Sequence, residues 1–219
     1  MTHRPSANRG FFVTGTGTGV GKTFVTAMLA EQARAAGQRV FAFKPIETGC
    51  SLCEGSWVGA DQELLAKAAG DWQQDELRRL YCFERPISPL GAARAEGRTI
   101  ELDRIKAAFA RGCEQSDYVL VEGAGGWRVP ITEHHDMSRL AKATDLPVLV
   151  VAMAGLGTIN HSVLTVEAVR NDGCAIAGVV LSCRPEDDLQ FARDNAAEIA
   201  RLGQVRAIVS CEKVLYDTL

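Results

Sequence analysis

The chain reads as an α/β protein with a doubly wound, mainly parallel sheet and helices on both faces. Three observations carry that expectation. The apolar run Phe11-Phe12-Val13 leads into a glycine-rich loop and then an amphipathic helix, strand-like and helix-like segments alternate from there to residue 209, and the strand-like segments are apolar at nearly every position. Strands that read as continuous apolar runs are covered on two faces, and strand–helix alternation requires right-handed crossovers that supply the covering helices.

The first helix is expected over 22–36, where Phe24, Val25, Met28, Leu29 and Ala33 form one stripe and Gly37 ends it. A strand is expected over 39–43 and a second helix over 61–69, with Asp61 at its start able to cap it. Residues 49–59, rich in Gly, Ser and Cys, read as a mobile loop. Downstream, a helix over 102–113 precedes a buried strand over 118–121, a glycine-rich turn, a helix over 136–143 and a strand over 148–151. A helix over 162–171, a strand over 176–181, a helix over 189–202 and a short strand over 206–209 complete the series. No repeat, linker or low-complexity tract divides the chain, so residues 1–219 are expected to form one domain with residues 1–10 flexible.

Composition narrows the function classes. With 219 residues, 47% hydrophobic and 23% charged, the chain has the balance of a soluble globular protein. A formal net charge of −3 argues against a broad surface for nucleic acid. The longest strongly apolar stretch, residues 146–154, is half of a membrane span, and residues 1–10 lack the apolar core of a signal peptide. A cytoplasmic enzyme with no nucleic-acid or membrane partner is expected. Seven scattered cysteines, an odd number, suit reduced thiols. Cys50 and Cys53 have the spacing of a metal or redox pair, but no second pair follows to complete a zinc site; they read as ordinary loop thiols, and His134-His135 as a polar loop.

Chemistry concentrates in three places. Gly15-Thr16-Gly17-Thr18-Gly19-Val20-Gly21-Lys22-Thr23 is a phosphate cradle: its glycines let successive N–H groups turn inward, Lys22 supplies a cation, and the Thr23 hydroxyl can ligate magnesium. It departs from the usual phosphate loop, whose first glycine falls where this chain has Thr16. Lys44 follows the second strand, and Glu122 is expected to close the strand over 118–121. In an open parallel sheet the ligands gather beyond the carboxyl ends of strands, so these three positions should converge on one crevice. Glu122 reads as a magnesium ligand. Taken alone, Lys44 is as readily a solvated lysine as a ligand, and Asp61 is a helix cap.

The phosphate loop, Lys44-Pro45-Ile46-Glu47-Thr48-Gly49, Val121-Glu122-Gly123-Ala124-Gly125-Gly126-Trp127 and Leu156-Gly157-Thr158-Ile159-Asn160-His161 together resemble the dethiobiotin synthetase family, in order, over residues 11–180. The resemblance implies a P-loop NTPase-like fold and a ligase of biotin synthesis. Such an enzyme uses ATP and magnesium to close the ureido ring of dethiobiotin from 7,8-diaminononanoate and carbon dioxide, through a carbamate and a carbamic–phosphoric anhydride. By the same resemblance Lys22, Lys44 and Thr18 are the catalytic candidates, and Thr23, Asp61 and Glu122 hold magnesium. The resemblance also implies that Gly17, Thr18, Gly19, Val20, Gly21, Lys22, Thr23, Phe24, Glu122, Gly125 and Ser182 bind the nucleotide. Thr48 and Ser88 line the diamine site, and Gly155, Leu156, Gly157, Thr158 and Asn160 reach it from the neighbouring subunit of a homodimer.

The chain departs from the family pattern at informative positions. Gly17 and Gly19 stand where some members carry acidic residues, and Ser182-Cys183 where some carry an Asn-Asp pair suited to adenine. One hydroxyl cannot match the paired donor and acceptor of a side-chain amide, so weak discrimination among ATP, CTP and GTP is expected. Val205-Arg206-Ala207-Ile208-Val209 replaces a Gly-Glu-Ile-Pro-like segment of relatives. Two other readings share the loop. A partitioning-type switch ATPase normally has a second lysine where Gly17 stands, and a cobalamin-synthesis amidating enzyme normally carries a further glutaminase domain that a chain of 219 residues does not accommodate.

Overall fold

In the computed structural model, which describes residues 9–210, the chain runs β1 (Arg9–Gly15), α1 (Lys22–Ala35), β2 (Val40–Phe43), β3 (Ile46–Thr48), β4 (Ser51–Cys53), β5 (Ser56–Val58), α2 (Ala60–Ala68) and α3 (Asp75–Arg78). It continues through β6 (Tyr81–Phe83), α4 (Pro89–Ala95), α5 (Leu102–Cys113), β7 (Tyr118–Gly126), α6 (Met137–Thr144), β8 (Val148–Met153), α7 (Thr158–Asn171), β9 (Ile176–Ser182), α8 (Leu189–Gly203) and β10 (Ala207–Val209). Six strands form the central sheet in the order β10-β9-β8-β1-β7-β2, and every neighbouring pair is parallel. Most of the N-terminal segment expected to be flexible lies outside the described residues; its last two, Arg9 and Gly10, begin β1. Among the described residues no helix is long and apolar enough to cross a membrane.

Successive side chains of a strand point to opposite faces, and the two cores follow that rule. Phe41, Phe43, Val119, Val121, Val148, Val150 and Leu181 pack with α5, α6, α7 and α8 on one face. Val13, Val40, Ala42, Leu120, Leu149, Val151 and Val180 pack with α1 and α2 on the other. Complete burial of a Phe, Leu or Val side chain contributes about 1.5–3 kcal/mol, so the apolar strand runs hold both helix layers.

Four local expectations are corrected. The glycines after Glu122 do not form a turn: they continue β7 to Gly126, which pairs with Gly15, so Glu122 sits inside the strand rather than closing it. The reason is steric, since a Cβ on Gly123 would press on Met137 and Phe12, and Gly126 passes close to the Gly15 carbonyl. Residues 49–59 hold a hairpin, β4 paired antiparallel with β5, turning at Glu54 and Gly55 with φ of 49° and 80°. Asp61 does not cap α2; the cap position is Gly59, which has no side chain to offer. Finally α7 starts at Thr158, four residues before the expected 162, because Gly157 takes the left-handed cap conformation with φ 90°. Two small strands, β3 and β6, and two short helices, α3 and α4, had no periodicity long enough to announce them.

Candidate active site

Parallel pairing explains why residues far apart in sequence meet. β1, β7 and β2 are adjacent and run in the same sense, so Lys22 after β1 and Lys44 after β2 emerge at one edge of the sheet, and Glu122, inside β7 but level with the end of β2 through the Phe43–Val121 pair, lies between them. Lys22 and Lys44 line a cleft of about 570 Å³, whose walls include Thr18, Gly19, Gly21, Thr23, Phe24, Thr48, Asp61, Ser88 and Gly125; Glu122 is fully buried and meets the cleft through its bonds to Thr23 and Lys44. Of the sequence candidates, all of these meet there.

The phosphate loop ends in Gly21, which caps α1 with φ 94°. A Cβ there would also collide with the Ser182 side chain, so the loop and the end of β9 can approach only through a glycine. The first turn of α1 carries no acidic residue, leaving its N–H groups and positive dipole end open to an anion. Lys22 Nζ donates to the Gly17 carbonyl at 3.0 Å.

The charged centre is a four-residue cluster. Glu122, fully buried, accepts from Thr23 Oγ1 and from Lys44 Nζ at its Oε1, both at 2.8 Å. Lys44 also pairs with Asp61. Burial by itself pulls the Lys44 ammonium down, but the charges of Glu122 and Asp61 and their hydrogen bonds outweigh it and hold its pKa well above the usual 10.5. Burial lowers that of Lys22, with Lys44 adding to the fall and Glu122 and Asp61 opposing it. Glu122 Oε2 is buried and has no hydrogen-bond partner, an acceptor left uncommitted. With the Asp61 carboxylate and the Thr23 hydroxyl nearby, the donors are all oxygen, as a hard divalent ion prefers. The residues present therefore fit magnesium.

Other candidates fall elsewhere. Val20 packs into the core beside α1, and Gly17 offers its carbonyl to Lys22. Ser182 lies over Gly21 rather than in the cleft wall, and Ser88 both lines the cleft and caps α4 by accepting from the Gly91 N–H at 3.3 Å. Gly155, Leu156, Gly157, Thr158 and Asn160 do not line this cleft; Leu156 is 96% exposed, Thr158 is buried and Asn160 faces solvent. Sequence reading gave no role to Glu47, Pro86, Ile87, Pro89, Ala124 or Val129, which complete the walls. Only Glu47 carried a signal, an acid held within the Lys44 block. A larger hollow of about 800 Å³, bordered by Lys106, His134 and Arg139, buries none of its charged groups. Cys50 is buried and Cys53 exposed.

A phosphate loop at the end of a central parallel strand, backed by a lysine, a hydroxyl and a buried carboxylate, defines a P-loop nucleotide-binding protein. Solved structures agree in fold. The ParA family ATPase from Chlorobium tepidum TLS superposes with a TM-score of 0.55 at 12% identity, covering 93% of this chain and 84% of that one. The signal recognition particle 54 kDa protein from Aeropyrum pernix K1, in complex with GDP, gives 0.57 at 14% identity, covering 97% of this chain and 43% of that one. Residues 9–214 match the AAA domain family model AAA_26. ATP-dependent dethiobiotin synthetase BioD of Anaeromyxobacter dehalogenans strain 2CP-C is 49% identical over 89% of this chain and 85% of its own length. The proteins of that name from Anaeromyxobacter sp. strain Fw109-5 and Anoxybacillus flavithermus are 43% and 37% identical, over 96% and 91% of this chain and 97% and 90% of their own lengths. The chain belongs to the ATP-dependent dethiobiotin synthetase family.

Proposed function

We propose that this protein closes the ureido ring of dethiobiotin from 7,8-diaminononanoate and carbon dioxide, converting ATP to ADP and phosphate. Beside the family membership, the observation that carries this reading is the placement of two buried lysines, Lys22 and Lys44, in a single cleft with Asp61, with Lys44 bonded to the buried Glu122 behind it. One amine of the diamine takes up carbon dioxide as a carbamate. A carbamate oxygen attacks the γ-phosphorus, the bond to the β-phosphate oxygen breaks, and ADP leaves. The second amine then attacks the carbamoyl carbon and expels phosphate, closing the ring.

That sequence asks the protein to position groups and to neutralise charge. Lys22 and the open N–H groups of the loop receive the phosphates. Lys44, kept charged by its two carboxylate neighbours, faces the carbamate and transferring phosphoryl oxygens from a desolvated floor, where a fixed cation is strongest. Thr18 and Thr48 offer hydroxyls to the carbamate without adding charge. Thr23, Asp61 and Glu122 would hold magnesium, which when bound neutralises phosphate oxygens. Phe24, Ile87 and Val129 give the cleft an apolar wall suited to the hydrocarbon chain of the diamine.

Phosphate release measured with diamine, bicarbonate and magnesium, each omitted in turn, tests the reading. Release should need all three, and release indifferent to the diamine would sink it. Run with ATP, CTP and GTP, the same assay should give comparable turnover; an ATP preference beyond about a hundredfold would reject the role given to Ser182-Cys183.

The reading includes a homodimer in which the 155–160 segment completes the partner's diamine site. Its support is an apolar exposure at Met153, Leu156 and Leu164, at 48%, 96% and 56%. Leu156→Asp should shift the protein toward monomer in sedimentation velocity and raise the KM for diamine about tenfold or more. An unchanged sedimentation coefficient would remove Leu156 from the interface.

A further inference from the structure

We propose that Glu47 and Gln62 are positioning residues whose reciprocal hydrogen bonds fix Asp61 against Lys44 and thereby set the affinity of the cleft for a divalent cation. This rests on the reading that Asp61 and Glu122 hold the cation.

A helix start leaves N–H groups that need acceptors, and the cap position before α2 is Gly59, which has no side chain to supply one. Glu47 does so from outside the helix. Its Oε1 accepts from the Asp61 N–H at 2.9 Å and its Oε2 from the Gln62 N–H at 2.8 Å. The absence of a side chain at Gly59 makes the room, since a Cβ there would overlap the Glu47 carboxylate. In return Gln62, 2% exposed, donates from Nε2 to the Lys44 carbonyl at 2.9 Å and to the Tyr81 carbonyl at 3.3 Å. The segment carrying Lys44 thus holds α2 through Glu47, and α2 holds Lys44 through Gln62. The backbone groups gripped, the N–H of Asp61 and the C=O of Lys44, belong to the two residues whose side chains pair in the cleft. Both Glu47 oxygens are committed to backbone N–H groups and the residue is 6% exposed, which suits fixing a neighbour better than binding a substrate. A negative group at the start of α2 is also favoured by the helix dipole.

The test compares the full-length parent with Glu47→Ala, Glu47→Gln and Gln62→Ala. Mn²⁺ replaces Mg²⁺, and its binding is followed by the paramagnetic resonance of the free ion, with a non-hydrolysable ATP analogue present. Nucleotide affinity in EDTA and the Tm are measured beside it. Outer-shell partners of metal ligands typically govern about 10–100-fold in affinity, so Glu47→Ala and Gln62→Ala should raise half-saturating Mn²⁺ about tenfold or more. Metal-free nucleotide affinity should stay within about twofold, since the phosphate loop is held independently. Glu47→Gln, which keeps one carbonyl oxygen and nearly the same shape, should shift Mn²⁺ about threefold in the same direction; it carries the comparison if the alanine variant does not fold. Unchanged Mn²⁺ half-saturation in the folded variants overturns the proposal, as does an equal loss of nucleotide and Mn²⁺ affinity. A parent that binds no Mn²⁺ overturns the underlying site reading, whereas a parent that binds it beside unaltered variants removes the clamp alone.

Discussion

Lys44→Met should lower diamine-dependent phosphate release by about a thousandfold or more, because in the proposed mechanism it removes a desolvated cation that faces the charge developing during phosphoryl transfer. The structure adds a second consequence. Lys44 is the hydrogen-bonded counter-charge of the fully buried Glu122, so the variant strands a carboxylate in the interior. Breaking a buried pair from one side costs about 3–5 kcal/mol, enough to lower the Tm measurably. Lys44→Ala would add a cavity to that cost, which makes Met the cleaner replacement. A double variant, Lys44→Met with Glu122→Gln, separates the two effects: stability should return while turnover does not. Near-normal turnover in Lys44→Met would remove Lys44 from the catalytic set. The pH dependence has a definite sign. The folded-state pKa of Lys44 lies above the ordinary 10.5, so the stability it lends is fully present below 10.5 and is lost only as pH rises through the higher folded value. Through neutral pH the contribution is therefore flat.

Glu122→Gln should act mainly on the metal. The amide can still accept from Thr23 and Lys44 in place of Oε1, and Oε2 has no hydrogen-bond partner to lose. Folding stability should fall by about 1–3 kcal/mol, less than at Lys44, because Lys44 keeps Asp61 as a counter-charge while the new amide NH2 in place of Oε2 is a buried donor without a partner. The magnesium concentration for half-maximal phosphate release should rise about tenfold to a hundredfold. An unchanged magnesium titration would show that the orphaned oxygen serves something other than the cation. Distinct patterns are expected at the two positions: loss of rate with the larger stability cost at Lys44, and a shifted metal requirement with a smaller stability cost at Glu122.

Much of the site was legible because it is made of local signals. A glycine-rich stretch between an apolar run and an amphipathic helix has few uses other than holding phosphate, and parallel alternation dictates that the ends of β1, β2 and β7 face one crevice. On that logic Lys22, Thr23 and Lys44 are expected at the crevice, and all three line the cleft; Glu122, expected to close its strand, sits inside β7 and meets the cleft through its hydrogen bonds to Thr23 and Lys44. Asp61 was not separable from a helix cap by its neighbours in sequence; its ion pair with Lys44 depends on where the β4–β5 hairpin delivers α2. Glu47 had no assigned role for the same reason. Its partners, the N–H groups of residues 61 and 62, are fourteen and fifteen residues away along the chain.

The division follows the range of the forces involved. Strand and helix identity, the order of alternation and the phosphate loop arise from side-chain periodicity and glycine placement within a dozen residues, and they are written in the chain itself. The course of β7 through its glycines, the pairing of Gly15 with Gly126, the seat of Ser182 against Gly21 and the Glu47–Gln62 clamp each depend on close approach between distant segments. Such contacts exist only once burial has brought those segments together and each buried polar group must find a partner. The loop thus announces a phosphate from sequence alone, while the charge balance among Lys22, Lys44, Asp61 and Glu122 beside it is a property of the folded sheet.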